Sequence, residues 1–449
     1  MNRQSQKTPA IKLRKHLNAD SLFQSVYVEF SNIPDHRSGE PFITMPDALM
    51  SAFAMFSLKD PSLLAFEQRR IHDDANLHNI YKINNIPSDT QMRDIIDPID
   101  PAYLRPAFKI PFRQLQRSKQ LEQMQFLEGY YLLSLDGTGF FSSKKLFSDI
   151  CMEKKNKKTG AITYYLQMLG AAIVHPDHKE VIPLAPEFIM KQDGETKNDC
   201  ERNAATRFFK KLRKEHPHLP LIIIEDGLSS NAPHIRDAKK HNLRYILGAK
   251  EGDHSFLFKQ IKEAANEHRT TEFEIVDSEN EKIVHRFRYL NQVPLNASNQ
   301  DLLVNFLEYW EVTPNKVQHF SWVTDFTITE SNAYKLMRGG RARLKIENET
   351  FNTLKNQGYH FDHNYGLGKK NLSLNFTMLM MLAFLVDQTQ QLSCKLFKEV
   401  LKKQGTKRAL WDRMRSLFRE HKFSSMQMLY EAILCGIEKQ PPIILYDSS

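Results

Sequence analysis

Paired cysteines, nucleotide-binding loops and long apolar runs are all missing from this 449-residue chain. Its four cysteines, Cys151, Cys200, Cys394 and Cys435, lie far apart and form no CxxC pair. That spacing excludes a zinc knuckle and a disulfide framework, and makes a reducing cytoplasm the default. The longest apolar run, Phe376 to Val386, is too short to span a bilayer, and the basic N-terminus MNRQSQKTPAIKLRKHL has no apolar stretch behind it. A soluble intracellular protein is therefore expected. GLGKKN at 366–371 lacks the GxxxxGK[ST] spacing and a preceding strand, and there is no GxSxG element or Cys/His signature. His360 and His363 flank Phe361-Asp362 without a partner cluster, so no zinc site is expected there. His175 and His178 fall in a predicted hairpin turn, where they are expected to be solvated.

What the chain does have is positive charge. The formal balance is +9 and the isoelectric point about 9.1, which favours a polyanionic partner. Between Lys335 and Lys355 stand six basic residues, Lys335, Arg338, Arg341, Arg343, Lys345 and Lys355, against two acids, Glu347 and Glu349. A phosphate backbone would be drawn to such a segment.

The length exceeds a usual single domain, so two or three units are expected. Residues 1–125 read as helical, with amphipathic segments at 20–31, 46–58, 61–71 and 88–97. Ser88 and Gln91 form a capping box before Met92, Ile95 and Ile96. Short helices of this kind suit a DNA-binding head or a helical support. From 126 to 370 the character is α/β: strands at 131–136, 162–174 and 179–185, a helix at 200–215, a strand at 219–225, a helix at 231–241 and a strand at 243–248. That order is expected of a ribonuclease-H-like core, whose first and fourth strands lie side by side. Residues 250–330 alternate and are aromatic-rich, as in an inserted β-rich subdomain. Gly339-Gly340 is expected to break the next helix, so that the Glu347 helix starts near Arg341 and ends near Gly358. The tail, 371–449, reads as helical, with Phe376–Val386 buried.

Three acids stand in recognisable settings. Asp136 closes the apolar run in YYLLSLDGTGFF, Asp226 closes the run in LPLIIIEDGLSSN, and Glu347 lies in GRARLKIENETFNTLKNQG. Singly, an acid after a strand is a turn former or a helix N-cap, and a glutamate four residues from an arginine is a surface ion pair. Together they form a set of hard oxygen ligands suited to Mg2+ or Mn2+, which can drive in-line displacement at a phosphodiester.

These segments resemble the DDE transposases of bacterial insertion sequences, in the branch where a β-rich insertion separates the second Asp from the Glu. The segment around Glu347 is similar to that branch's Tyr-x2-Arg-x3-Glu-x6-Lys signature, with Arg343 and Glu347 correctly spaced. It departs from it at Gly340, in the tyrosine position, at Leu344, in place of a frequent tryptophan, and at Lys355, one residue too far on. Glu349 is the alternative, which would put Lys355 six positions on but lose the arginine spacing, so Glu347 is the preferred third acid. The resemblance implies a cytoplasmic, nucleoid-associated bacterial enzyme that excises an insertion sequence and transfers its strands. Asp136, Asp226 and Glu347 would be its catalytic metal ligands, and Arg341, Arg343, Lys345 and Lys355 would contact DNA phosphates. It further implies double-stranded DNA partners, namely terminal inverted repeats and target DNA, and a homodimer in the synaptic complex. A nuclease that cuts without joining and a DNA-binding relic are the alternatives. Trp310 and Trp322 are read as core aromatics rather than as base-stacking residues.

Overall fold

The computed structural model describes residues 11–72, 74–191, 199–437 and 444–447. The chain begins with a short strand, β1 (Ile11–Arg14), followed by helices α1 (Ala19–Ser31), α2 (Met45–Ser57), α3 (Leu63–Ile71), α4 (Ala75–Tyr81), α5 (Asp89–Ile96) and α6 (Arg105–Arg117). Each of α1 to α5 opens on a side-chain N-cap. At α5 this is the expected capping box, with Ser88 and Gln91 each satisfying the other's backbone N–H. Helix α2 is mostly apolar, with Asp47, Ser51 and Ser57 as its polar residues, and is buried on nearly every side, as a largely apolar helix requires.

Strands and helices then alternate: β2 (Tyr131–Ser143), β3 (Met152–Lys155), β4 (Ile162–Val174), β5 (Ile182–Pro183), β6 (Glu187–Ile189), α7 (Glu201–Glu215), β7 (Leu221–Glu225), α8 (Ala232–Lys240) and β8 (Arg244–Gly248). Next come α9 (Ser255–Asn266), β9 (Thr271–Val276), β10 (Val284–Asn296), β11 (Asn299–Thr313), β12 (Lys316–Thr324) and α10 (Glu330–Arg341). After α10 the chain enters a π-helical turn, Ile346–Phe351, and continues as α11 (Asn352–Asn356). The remainder is α12 (Leu372–Ser393), α13 (Lys395–Gln404), α14 (Lys407–Glu420), α15 (Met426–Cys435) and β13 (Ile444–Asp447).

The result is a mixed α/β protein built on one eleven-stranded sheet, in the order β3-β4-β2-β7-β8-β12-β11-β10-β9, with β5 and β6 also paired to β4. Strands β2 and β4 are antiparallel, while β7 lies parallel to β2 and β8 parallel to β7. The expected first and fourth strands are thus neighbours. The residues of β7 are all buried, as befits a parallel strand covered on both faces.

Helix α12 holds the helical parts together. Its 22 residues are long and apolar enough to cross a bilayer, a property that the run Phe376–Val386 alone does not reveal, yet the whole apolar window is buried in the fold. The Asn375 side chain donates to the carbonyls of Ile96 and Ile99, and Asp97 accepts from the N–H of Leu372 at the helix start. In its C-terminal half Asp387 pairs with Lys59, whose side chain is fully buried. The Tyr359 hydroxyl donates to the same carboxylate oxygen at 2.7 Å, and the Lys59 ammonium lies 3.9 Å from the centre of the Trp411 ring. Burial lowers the Lys59 pKa against the opposing pull of Asp387.

Several expectations are corrected. Gly339 and Gly340 do not break the helix; α10 runs through both. They admit close neighbours instead: a Cβ on Gly340 would lie 2.3 Å from Trp322 Nε1, and one on Gly339 would lie 3.0 Å from Phe126. The irregularity falls later, at Ala342-Arg343. The strands of the β-rich insertion continue the core sheet, with β12 paired to β8 from Thr324↔Ile246 to Trp322↔Gly248. The insertion also contains α9, and the predicted strand 179–185 is reduced to β5 (Ile182–Pro183), with β6 following beyond it. The termini of the helical regions carry β1 and β13, which pair in parallel from Ile11↔Ile444. His175 is not solvated: its side chain is 13% exposed and its ring meets the edge of Phe126.

Candidate active site

Strand β2 places Asp136 where the sheet's apolar centre gives way to its rim. Leu132, Leu133 and Ser134 before it are fully buried, whereas Asp136 keeps 27% of its side chain exposed. Its Oδ1 accepts from the N–H of Gly137 at 2.9 Å. The parallel register between β2 and β7 runs from Tyr131↔Leu221 to Ser134↔Ile224. Asp226 directly follows Glu225, the last residue of β7, and its charge acts on the Glu201 carboxylate. Asp226 also realises its simpler role, since its Oδ1 accepts from the N–H of Leu228 and caps the 3-10 turn Gly227–Ser229.

Glu347 arrives from the other side of the site, on the π turn. The turn sits against the β2–β4 pair through two close approaches. Ser134 Oγ donates to the carbonyl of Arg343 at 3.0 Å. Phe351 lies directly over Gly170, the cross-strand partner of Asp136, where an added Cβ would be 2.7 Å from the Phe351 ring. Arg343 then joins the acids: its Nη2 is 2.7 Å from Glu347 and its Nη1 is 3.6 Å from Asp136.

A fourth carboxylate belongs to this cluster. Glu201, the first residue of α7, lies so close to the Gly137 backbone that a Cβ there would be 2.1 Å from its Oε1. Burial raises the Glu201 pKa, and repulsion from Asp226 and Glu225 raises it further. Asp136 is pushed up to about 6, chiefly by burial. Arg343 pulls it down, while Glu347 and Glu201 push it up. The rim therefore concentrates more negative charge than Arg343 neutralises. The sequence hides Glu201 because an acid in a first helical turn is ordinary there; the one hint is the glycine that follows Asp136. Behind Asp226, Glu225 is buried and its Oε2 is 2.6 Å from His234 Nε2. Burial works to lower the His234 pKa, but the Glu225 carboxylate outweighs it and the net shift is upward.

Glu349 points its charge elsewhere. It lies in the field of Lys407, a lysine whose pKa burial lowers and to which Asp387 and Glu349 provide opposing negative charge. The predicted phosphate-binding residues divide likewise. Only Arg343 stands among the acids. Arg341 pairs with Glu311 at 2.6 Å and lies over the Phe320 ring, the Lys345 ammonium donates to the carbonyl of His178, and Lys355 is 3.9 Å from Asp362. Arg338 is bound to Asp177. Trp322 is buried beneath Gly340, and Trp310 stacks on His319 under Arg288.

Among the described residues no three His, Cys, Asp or Glu side chains converge closely enough, as they stand, to hold a metal ion. The guanidinium of Arg343 is the cation between Asp136 and Glu347. The acids are nonetheless of the right chemistry, since carboxylates supply hard oxygen ligands.

No protein-family profile matches the chain, and no curated protein matches it in sequence. Among solved structures it is similar to the piggyBac transposase synaptic complex with hairpin DNA, at 12% identity and a TM-score of 0.42, over 95% of this chain and 84% of that one.

Proposed function

We propose that this chain is a DNA strand transferase of the DDE type, with a ribonuclease-H-like core, that excises a mobile element and joins its ends to target DNA. One observation carries the reading: Asp136 and Glu347, far apart in sequence, meet through Arg343, with Asp226 just past the end of the neighbouring parallel strand.

Two of the departures from the transposase signature have physical explanations that favour the reading. The π turn at Ile346–Phe351 accommodates one extra residue within a helix, which offsets the single additional position between Glu347 and Lys355. The tyrosine position is glycine because the Trp322 indole fills that space.

Asp136, Asp226 and Glu347 are the residues that would hold Mg2+ or Mn2+, with Glu201 adding negative charge beside them. When bound, such ions activate a nucleophile and stabilise the leaving oxygen of a phosphodiester. Arg343, released from the acids, would be free to hold a phosphate oxygen. Duplex DNA as substrate, a dimer that brings two ends together and a bacterial cytoplasmic setting follow from this reading.

The position of Arg343 between Asp136 and Glu347 also favours a second reading, a DNA-binding relic in which the internal ion pair has replaced the metal. The test is a Mg2+-dependent assay on labelled DNA carrying the flanking ends of the encoding element. It compares the wild type with Asp136→Asn, Asp226→Asn, Glu347→Gln and Glu349→Gln, with Mn2+ binding followed in parallel by calorimetry. Joined products and Mn2+ binding that survive only in wild type and Glu349→Gln support the transferase. DNA binding without cleavage or Mn2+ uptake in wild type leaves the relic.

A further inference from the structure

The cations near Glu347 are largely spent on internal partners. A separate group of exposed cations lies further along the strand that carries Asp136. Strand β2 continues past the acid to Ser143, whose Oγ accepts from the N–H groups of Lys145 and Leu146 and turns the chain. The chain then enters β3, which pairs with β4 from Met152↔Tyr165 to Lys155↔Ile162. Asn156 Oδ1 accepts from the N–H groups of Lys158 and Thr159 and closes the tip. Cys151 and Met152 are buried and fix the base of this arm.

Lys144, Lys145, Lys154, Lys155, Lys157 and Lys158 all project from the arm and are exposed. None of them forms an ion pair among the described residues. The acids nearby do not neutralise them: Glu153 is bound to Lys191 at 2.6 Å, and Asp149 is a single charge. Phe147, 63% exposed, stacks on Tyr164 with ring centres 5.1 Å apart, giving the arm a flat apolar plate.

Lysines are also a common guard on edge strands, and β3 has a free edge. That role accounts for Lys154 and Lys155 but not for the other four, which lie in the turn before β3 and at the tip beyond it. We propose that this arm is a second DNA-binding element, gripping the phosphate backbone of a duplex whose reacting bond lies at the acid cluster. The proposal rests on the reading of that cluster as a DNA site. With a strand rise of ~3.3 Å per residue, Lys144 lies roughly 25 Å along β2 from Asp136, a distance matched by about seven base pairs of duplex.

The test is fluorescence anisotropy with a labelled duplex that spans both sites, using the full chain in EDTA across a salt series. Changing Lys144, Lys145, Lys157 and Lys158 together to Gln should weaken binding at least ~10-fold. It should also flatten the plot of log affinity against log salt by about 2 to 4, close to one for each phosphate that is no longer neutralised. The milder Lys157→Gln/Lys158→Gln pair should give about half that change in slope. Lys398→Gln/Lys402→Gln, exposed lysines on α13, should change neither quantity. If wild type binds and the quadruple variant keeps its affinity and slope, the arm does not touch DNA while the reading of the acid cluster survives. If wild type binds no duplex at any salt, both are overturned.

Discussion

Gly340 lies directly beneath the indole of Trp322, so close that a Cβ on residue 340 would come within 2.3 Å of Nε1 and 2.5 Å of Cε2. Trp322 is only 5% exposed and stacks on Phe320, so the ring has little room to withdraw. Gly340→Ala should therefore destabilise the fold by about 1–3 kcal/mol, the usual range for overpacking. Chemical denaturation reads the loss, and Trp322→Ala in the same chain should relieve part of it.

A similar approach controls the position of Glu347. Gly170→Ala would push into the Phe351 ring and displace the π turn from the β2–β4 pair. On the proposed function, strand transfer should fall by about 100-fold, since displacement of a reacting group by an ångström costs that much, and Mn2+ affinity should fall with it. Phe351→Leu added to Gly170→Ala should recover a large part of both.

The raised pKa of Asp136 has a definite sign in stability. Its folded value of about 6 exceeds the ordinary aspartate value of 3.8, so the native state binds this proton more tightly than the unfolded chain does. The resulting stabilisation is complete below pH ~4 and is lost as pH rises through ~6. The partly solvated setting limits the effect to on the order of 2 kcal/mol. Denaturation curves between pH 4 and 7 should show wild type losing stability relative to Asp136→Asn. Added Mg2+ should move the transition to lower pH; an unchanged transition would argue against metal binding at Asp136.

Lys59→Met leaves Asp387 charged and buried beside Tyr359. The expected loss is about 3–5 kcal/mol, because an unpaired buried charge is far costlier than an absent pair. The double change Lys59→Met/Asp387→Leu should return most of that stability, as measured by the denaturation midpoint.

The alternating centre of the fold was legible in the sequence because its patterns are strong. The expected strand at 162–174 coincides with β4, and the expected helices near 200–215 and 231–241 coincide closely with α7 and α8. Apolar runs bounded by Gly, Pro and Asp leave little choice there. The glycine pair misled because propensity describes an isolated helix, whereas Gly339 and Gly340 answer to Phe126 and Trp322, remote in sequence. The proximity of Asp136 to Glu347 through Arg343 follows the sequence pattern, in which Arg343 and Glu347 are four residues apart. Glu201 and the internal engagement of Arg341 and Lys345 were not legible, because each depends on a tertiary neighbour that no local pattern encodes. The short pair β1 and β13 was missed for the same reason: each strand is four residues long and gains its definition only from the other.

The pairing of β12 with β8 bears on how this protein could be trimmed. An insertion tethered by flexible linkers can be cut out and the ends rejoined, leaving the host domain intact. Here excision would strip β8 of its neighbour and open a row of unpaired backbone groups flanked by the buried side chains of Tyr245, Ile246 and Leu247. Such an edge invites other chains to complete it. A minimal version lacking residues 250–325 would be expected to form aggregates rather than a smaller folded protein, which makes the insertion a fixed wall of the protein's architecture.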